Sequence, residues 1–252
     1  MNAENCMKGR PIELHVLDYG LFRVRSNGRV IGICGFLIRT DAGESILVDT
    51  GFPGKYAEDT AAASEEDRLF EFGEVLELTP EHLPEAQLRR AGLAPEDIDL
   101  LIMTHTHIDH VGGIADFPQS PILIARAERA LDKPLYWGDA RPMDWPDRDY
   151  LLIDDDIQLA PGLQVFLVPG HAPGQLALRL ELPETGAVLL TGDAISRPAE
   201  IAEGFAGSQD VAQARKSGDR LMAIAAETET FVIYGHSPEQ WPILRKTPDF
   251  YG

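Results

Sequence analysis

The sequence is short of cysteine and of basic side chains, and each shortage argues against a class of protein. Cys6 and Cys34 are the only cysteines in 252 residues, which is too few for a disulfide scaffold, and they are not spaced as a metal-binding pair. Lysine and arginine total 22 against 41 acidic residues, so the formal net charge is −19. Because phosphate groups bind to basic patches, this charge argues against a nucleic-acid partner and against an anionic membrane.

Long apolar runs are missing too, since no stretch approaches the roughly 20 apolar residues that span a bilayer. The first ten residues are polar, so we expect no secretory signal, and the scarcity of cysteine favours a reducing cytoplasm. We find no repeat and no low-complexity linker, and 44% of the residues are hydrophobic. We therefore expect one domain, residues 1–252, that buries a sizeable core. We further expect a small-molecule substrate, and either a monomer or a homodimer.

Apolar runs of strand length alternate with helical patterns along the chain. The pattern predicts strands at 12–17, 33–38, 45–48, 98–103, 121–125, 163–168, 175–182, 187–190 and 231–234, with a hairpin through 183–186. It predicts helices at 80–91, with Thr79 as the N-cap and Gly92 after the end, and at 209–226. This mixture indicates sheets packed on each other with helices outside.

Four of the predicted strands are each followed, within one to three residues, by histidine or aspartate. The candidate ligands are His105, His107, Asp109, His110, His171, Asp193 and His236. Because strand ends at one edge of a sheet converge, we expect these side chains to meet. Neutral imidazole and carboxylate bind zinc and its first-row neighbours, and seven ligands are too many for one tetrahedral ion. The pattern therefore predicts two divalent ions that share one carboxylate and a hydroxide, with zinc favoured and manganese, iron or cobalt acceptable.

The remaining histidines, His15 and His82, are predicted to be packing or surface residues.

The motif from Thr104 to His110, followed by Val-Gly-Gly and by the downstream ligands, resembles the metallo-β-lactamase superfamily. The resemblance covers nearly the whole chain and implies an αββα sandwich with a dinuclear centre. Within that superfamily, the segments 169–174, 191–194 and 234–240 resemble the N-acyl-homoserine lactone lactonase group.

The resemblance also implies a role for each candidate ligand. His105, His107 and His171 would hold one ion, and Asp109, His110 and His236 would hold the second. Asp193 would bridge the two, and a hydroxide between the ions would attack the lactone carbonyl while Asp109 moves the proton. Asp49 would support a ligand loop, although an ordinary turn aspartate before Gly51 explains it equally well.

The sequence departs from the lactonase group at three positions. Ser196 stands where the group carries a tyrosine aimed at the substrate carbonyl, Ser237 stands where it often has aspartate, and Gln175 stands where it commonly has histidine. We take Ser196 as a catalytic candidate that helps to stabilise the oxyanion, with Tyr136 or an ordered water as alternatives. The segment 131–150 is rich in proline and aromatic residues, and we expect either a structured surface loop or a substrate lid.

The apolar part of a substrate needs a pocket, and we expect Phe22 and Phe52 to contribute to it together with the segment 131–150. Two other functions are compatible with the sequence. One is the hydrolysis of another ester, a thioester or a β-lactam on the same metal centre. The other is a regulatory or scaffold protein with an inactive site, but such a protein would be expected to have lost a ligand, and all seven are present.

Overall fold

The computed structural model describes residues 3–252, and two β-sheets stacked face to face form its centre. The first sheet has seven strands in the order β4-β1-β2-β3-β5-β6-β7, and the second has five in the order β12-β11-β10-β9-β8. The strands are β1 Pro11–Val24, β2 Val30–Thr40, β3 Ser45–Val48, β4 Gly73–Glu77, β5 Leu100–Ile102, β6 Ile122–Ala125, β7 Tyr150–Ile153, β8 Ile157–Ala160, β9 Leu163–Leu167, β10 Leu176–Leu182, β11 Gly186–Leu190 and β12 Phe231–Ile233.

Helices cover the outer faces of both sheets. They are α1 Lys55–Glu58, α2 Thr60–Glu66, α3 Pro84–Arg90, α4 Ile108–Val111, α5 Arg126–Arg129, α6 Pro198–Glu203 and α7 Val211–Glu227. Short 3₁₀ turns lie at Leu69–Glu71, Pro80–His82, Pro95–Asp97, Ile114–Asp116, Gly192–Ile195 and Trp241–Ile243. No helix within residues 3–252 is long and apolar enough to cross a membrane.

Alternating side chains build three apolar layers. Ile38 faces a core cluster between the two sheets, whereas its neighbour Leu37 faces a cluster between the first sheet and its helices, because successive side chains of a strand point to opposite faces. A third cluster joins Leu189 of the second sheet to Leu221 of α7. The helix-sheet-sheet-helix order confirms the predicted αββα sandwich.

The predicted strands are all present, and 45–48 agrees to the residue; most ends differ by one to three residues, but β1 continues to Val24, well past the predicted end at residue 17. The hairpin is also confirmed, because β10 pairs with β11 in antiparallel register through Leu182 and Gly186. Three strands were missed: β4, β7 and β8. Polar residues interrupt β4 and β8, so neither forms the continuous apolar run that marks a buried strand, whereas β7 (Tyr-Leu-Leu-Ile) is such a run and could have been predicted.

The predicted helix at 80–91 is wrong in one respect, because the structure divides it into two pieces. A 3₁₀ turn occupies Pro80–His82, and α3 begins only at Pro84. Proline lacks an N–H, and its ring forces the preceding residue out of the helical region, so Leu83 adopts φ −75° and ψ 149°. The second predicted helix is confirmed as α7, which Asp210 caps by accepting a hydrogen bond from Gln213 N at 2.9 Å.

Candidate metal centre

The candidate ligands lie at the facing edges of both sheets. His105, His107, Asp109 and His110 follow β5 of the first sheet, whereas His171, Asp193 and His236 follow β9, β11 and β12 of the second. The expectation that one sheet edge supplies all seven was therefore wrong. β9, β11 and β12 run in the same direction, so their ligand-bearing ends share one edge. A hydrogen bond from Leu176 N to Thr104 O, 2.8 Å long, ties the two edges together.

Three histidines converge at one side of the centre. His107 Nδ1 lies 3.0 Å from His105 Nε2 and 3.0 Å from His171 Nε2. Two nitrogens bound at 2.0–2.1 Å to one tetrahedral ion would lie about 3.3 Å apart, so this spacing suits a zinc-sized cation. Asp193 Oδ2 lies 3.3 Å from His171 Nε2 and is the neighbouring carboxylate oxygen.

The other side is formed by Asp109, His110 and His236. Asp109 Oδ2 lies 3.7 Å from His110 Nε2 and 3.5 Å from His236 Nε2. Asp193 Oδ1 faces this group, 3.6 Å from His110 Nε2 and 3.1 Å from His236 Nε2. One oxygen of Asp193 thus faces each group of ligands, which is the arrangement that a bridging carboxylate requires.

Three polar atoms at the centre of this cluster have no hydrogen-bond partner among the described residues. They are His110 Nε2, His236 Nε2 and Asp193 Oδ1; the last two lie 3.1 Å apart but do not form a hydrogen bond. A buried polar atom without a partner costs roughly 1–3 kcal/mol, so such atoms rarely occur together without a reason. A pair of cations would satisfy all three atoms, and the residues present therefore fit a dinuclear metal group.

The charges of the cluster divide along the same line. Burial, together with the neighbouring imidazoles, keeps the pKa values of His105 and His107 well below their usual range. Burial also opposes the charged form of His110 and His236, but nearby carboxylates outweigh it and raise the pKa to about 10 for His110 and about 9 for His236. Without ions, the imidazoles of His105 and His107 are therefore neutral at neutral pH. His110 and His236 are protonated, and their positive charge balances the neighbouring carboxylates.

Asp49 supports the second side. Its Oδ2 accepts hydrogen bonds from His110 Nδ1 at 2.8 Å and from Thr104 Oγ1 at 2.6 Å, and its Oδ1 accepts one from Thr104 N at 2.8 Å. The contact fixes the proton on His110 Nδ1, which leaves Nε2 free as a ligand. Asp49 therefore does more than form a turn. Thr104 was missed because a threonine before a histidine motif carries no metal-ligand signal of its own.

Residues 35–236 match the sequence model of the metallo-beta-lactamase superfamily. The chain belongs to the metallo-β-lactamase superfamily. An N-acyl homoserine lactonase of Bacillus cereus is 34% identical over 224 residues, which is 85% of each chain. A second, from a Bacillus sp, is 36% identical over 221 residues, again 85% of each chain. The predicted closeness to the N-acyl-homoserine lactone lactonase group is confirmed, and the chain is a hydrolase of this superfamily.

Solved structures agree with this membership. A quorum-quenching N-acyl homoserine lactone hydrolase superposes with a TM-score of 0.82 at 26% identity, covering 97% of this chain and all of that one. A variant of AiiA from B. thuringiensis, with N-decanoyl-L-homoserine bound at its active site, gives a TM-score of 0.81 at the same identity and coverage. The likeness to these members of the superfamily thus extends over nearly the whole chain.

Ser196 lies at the edge of the centre, three residues after Asp193. It is half-buried, its N donates a hydrogen bond to Glu200 Oε2 at 2.7 Å, and its carbonyl accepts one from His236 N at 2.8 Å. Tyr136, the alternative oxyanion residue, uses its hydroxyl to donate to Asp67 Oδ2 at 2.8 Å. The hydroxyl of Tyr136 is therefore bonded to Asp67 and not to the centre, whereas the backbone carbonyl of Ser196 is bonded to the candidate ligand His236.

The segment 131–150 packs on the first-sheet side of the centre. Tyr136 N donates to Thr106 O at 2.8 Å and Ile108 N donates to Tyr136 O at 2.9 Å, so the backbone of this segment borders the histidine motif. Trp137 packs against Phe72, with the two ring centroids 4.5 Å apart and the rings tilted by 33°. We expected Phe22 and Phe52 to line the substrate pocket, but this was wrong. Both are buried in the core between the first sheet and its helices, where they are 2% and 4% exposed.

The other two departures from the lactonase group are buried in the structure. Gln175 is fully buried, and its Nε2 donates to Leu176 O at 2.9 Å. Ser237 is also buried, and its hydroxyl donates to Glu239 Oε2 at 3.1 Å. His15 and His82 lie outside the cluster as predicted, since His15 pairs with Glu13 and His82 accepts a hydrogen bond from Thr79 N.

Glu128 was missed by the sequence analysis, although it lies close to the histidine motif. It is a fully buried carboxylate in α5, the helix that follows β6. Since β6 runs parallel to β5, residues after β6 reach the same edge as the histidine motif. The rule that identified the ligands would therefore have found Glu128 if it had also been applied to the strand predicted at 121–125.

Proposed function

We propose that this protein is a dinuclear-metal hydrolase that opens lactone rings, with N-acyl-homoserine lactones as the first substrate class to test. The observation that carries the proposal is the convergence of all seven ligand-type side chains in a chain 34–36% identical to N-acyl homoserine lactonases. An inactive scaffold has no need to retain the complete set. His105, His107 and His171 would hold one divalent ion, Asp109, His110 and His236 the other, and Asp193 both.

Divalent ions held by these residues would lower the pKa of a bound water to about 7, so that hydroxide is available at neutral pH, and would polarise the ester oxygens. Zinc suits these ligands best, while manganese, iron and cobalt are also accepted by imidazole and carboxylate. His110 and Asp193 are 4% and 8% exposed at the side chain, which keeps competing water away from their buried atoms. The supporting hydrogen bonds of Asp49 keep the imidazole of His110 in its ligand tautomer.

Asp109 is the proposed proton carrier. Its side chain is 19% exposed, more than those of His110, His236 and Asp193 beside it, so substrate and solvent can reach it. In the proposed reaction, hydroxide adds to the ester carbonyl carbon, and Asp109 takes the proton of that added hydroxyl and delivers it to the ring oxygen when the C–O bond breaks. The products are the open-chain alcohol and a carboxylate, and no side-chain nucleophile takes part.

Ser196 is the proposed oxyanion donor. A donor of this kind contributes about 10²–10³-fold to turnover when its hydroxyl reaches the developing charge. Its carbonyl is bonded to His236 N, so the residue is held beside the second side of the centre. Ser196→Ala with unchanged turnover would remove it from this role and leave the position to ordered water.

A substrate panel tests the proposed function. The purified protein, loaded with zinc, is offered short and long acyl-homoserine lactones, simple γ- and δ-lactones, aryl esters, a thioester and a cephalosporin, and acid release is followed with a pH indicator. We expect lactone turnover that a chelator abolishes and zinc restores. Cephalosporin turnover without lactone turnover would favour the β-lactam alternative, and the absence of turnover with two ions bound would favour a scaffold.

The proposal extends to the domain organisation, the cellular location and the oligomeric state of the protein. We infer that residues 1–252 act as one catalytic domain, which the family match over 35–236 supports. A cytoplasmic location stays a prediction, for which fractionation of the producing cells is the measurement. Sedimentation of the purified protein distinguishes a monomer from a homodimer. Chymotrypsin cleavage after Tyr136 or Trp137, with and without product bound, tests whether the segment 131–150 acts as a lid.

A further inference from the structure

Glu128 is a buried acid with a complete set of hydrogen bonds and no positive partner among them. Its side chain is fully buried, Oε1 accepts from Thr106 N at 2.9 Å and Thr106 Oγ1 at 2.6 Å, and Oε2 accepts from Gly174 N at 3.1 Å. Burying a carboxylate is costly unless it is well bonded, so a feature of this kind needs a reason. The three bonds go to two segments that are distant in sequence.

Those two segments carry one complete group of ligands. Thr106 lies between His105 and His107, and Gly174 lies three residues after His171. These three histidines form the first ligand group, in which His105 Nε2 and His171 Nε2 each lie 3.0 Å from His107 Nδ1. The hydrogen bonds of Glu128 therefore connect the first-sheet and the second-sheet segments that carry this group.

The hydrogen-bond directions require an acceptor at Glu128. Thr106 Oγ1 accepts from Leu135 N at 2.9 Å, and donates its own proton to Glu128 Oε1. The backbone N–H groups of Thr106 and Gly174 can only donate. Both carboxylate oxygens therefore face donors, and an amide in place of the carboxylate would turn one of these bonds into a contact between two donors.

The packing at Gly174 shows how closely the second segment sits on Glu128. A methyl group at Gly174 would lie 2.7 Å from Glu128 Cβ and 2.8 Å from Ala125 Cβ. These distances are shorter than ordinary carbon–carbon contacts, so only glycine allows this approach. The other ligand group has separate supports, since Asp49 holds His110 and the Gly32 carbonyl accepts from His236 Nδ1 at 3.0 Å.

We propose that Glu128 is a positioning residue that aligns His105, His107 and His171 and so sets the affinity of one of the two ion sites, leaving the other site to Asp49. The inference depends on the proposed metal centre but not on the identity of the substrate. Residues that hold metal ligands in place commonly contribute 10–100-fold to metal affinity. Glu128 is expected to act on one ion within that range.

The test measures zinc release from the whole protein into a chromophoric chelator. The wild type is expected to release two ions in two steps. Glu128→Gln, which keeps the shape, should weaken one step by about 10–100-fold and leave the other unchanged. Asp99→Asn is the matched control, because Asp99 Oδ2 accepts from Ser45 N at 2.8 Å at the opposite end of β5, and both of its zinc steps should match the wild type.

Variants of Thr106 repeat the test from the donor side. Thr106→Val removes the hydroxyl that links Glu128 to Leu135 N and should weaken the same zinc step, whereas Thr106→Ser keeps the hydroxyl and should restore it. In the Glu128→Gln/Thr106→Val double variant, the two losses should not add, because both break one interaction. These variants keep the proposal testable if Glu128→Gln fails to fold.

Four results would overturn the inference. Wild-type zinc release from Glu128→Gln would show that the carboxylate has no effect on the ions. An equal weakening of both steps would show a general role in folding. Thr106→Ser behaving as Thr106→Val would show that the hydroxyl bond is irrelevant. A wild type that binds no zinc would overturn the metal centre as well, whereas two tightly bound ions without lactone turnover would leave this role intact and refute only the proposed substrate.

Discussion

Replacing Asp49 with asparagine is expected to weaken the ion site formed by Asp109, His110 and His236. Asparagine offers one oxygen where Asp49 uses two, so it cannot accept from Thr104 N and from His110 Nδ1 in the same orientation. If its oxygen faces His110, its NH₂ group meets the buried N–H of Thr104, and the unsatisfied donors cost about 1–3 kcal/mol. If the amide is flipped, its NH₂ group meets His110 Nδ1.

The flipped amide changes the tautomer of the histidine. His110 Nδ1 would have to give up its proton, and the proton would move to Nε2, the atom that faces the carboxylates of Asp109 and Asp193. Either orientation therefore weakens ion binding. At 1.4 kcal/mol for each factor of ten, about 1–3 kcal/mol corresponds to a loss of about 5–140-fold in affinity for one ion.

Zinc release into a chromophoric chelator measures this loss. Asp41→Asn is the control, since Asp41 lies on the surface, where its Oδ1 accepts a hydrogen bond from Arg10 N at 2.8 Å. We expect Asp49→Asn to weaken one release step and Asp41→Asn to weaken neither. Two wild-type steps in Asp49→Asn would refute the reasoning and restore the alternative that Asp49 is an ordinary turn residue.

Three further predictions follow from the same structure. In the metal-free protein, the raised pKa of His110 stabilises the fold. This stabilisation is complete below pH 6.5, the pKa of an unfolded histidine, and is lost as the pH rises through about 10. The free energy of unfolding in urea should fall across this range, and bound zinc should abolish this pH dependence. Tyr136→Phe removes the buried hydrogen bond to Asp67 and should lower the free energy of unfolding by about 1–3 kcal/mol while zinc content stays at the wild-type value; a thermal melt that matches the wild type would contradict this. Gly235→Ala would place a methyl group 2.6 Å from the carbonyl oxygen of the bridging-aspartate loop and should reduce zinc content, whereas Gly54→Ala, which meets no atom within 4 Å, should not; equal zinc content in both would contradict the prediction.

The ligand set could be predicted because its signal is local. An apolar strand that stops at a histidine or an aspartate is visible in a few residues, and all four such places lead to the centre. Which sheet each strand joins depends on pairing between distant segments, such as β11 with β12, and short apolar runs do not encode this. The sequence therefore predicted the meeting of the ligands, but not the two facing edges that bring them together.

Supporting residues were harder to predict because their role depends on hydrogen bonds to residues that are distant in the sequence. Glu128 follows an apolar strand as the ligands do, but its sequence position does not show that it bonds Thr106 and Gly174 and acts as a support. Tyr136 has an aromatic side chain and a hydroxyl, which suited an oxyanion role, but its hydroxyl is bonded to Asp67, 69 residues away. Contacts over such separations follow from the whole fold and leave no pattern in the local sequence.

The motif itself contains part of this missing information in its threonines. Thr104 and Thr106 alternate with His105 and His107, and neighbouring side chains of an extended segment point to opposite sides. The histidines point to the centre, whereas Thr104 donates to Asp49 and Thr106 to Glu128. Each threonine thus connects the ligand segment to one buried carboxylate. The alternation means that a change at either threonine should disturb the centre from behind, and that valine, which has the same shape without the hydroxyl, should disturb it more than serine.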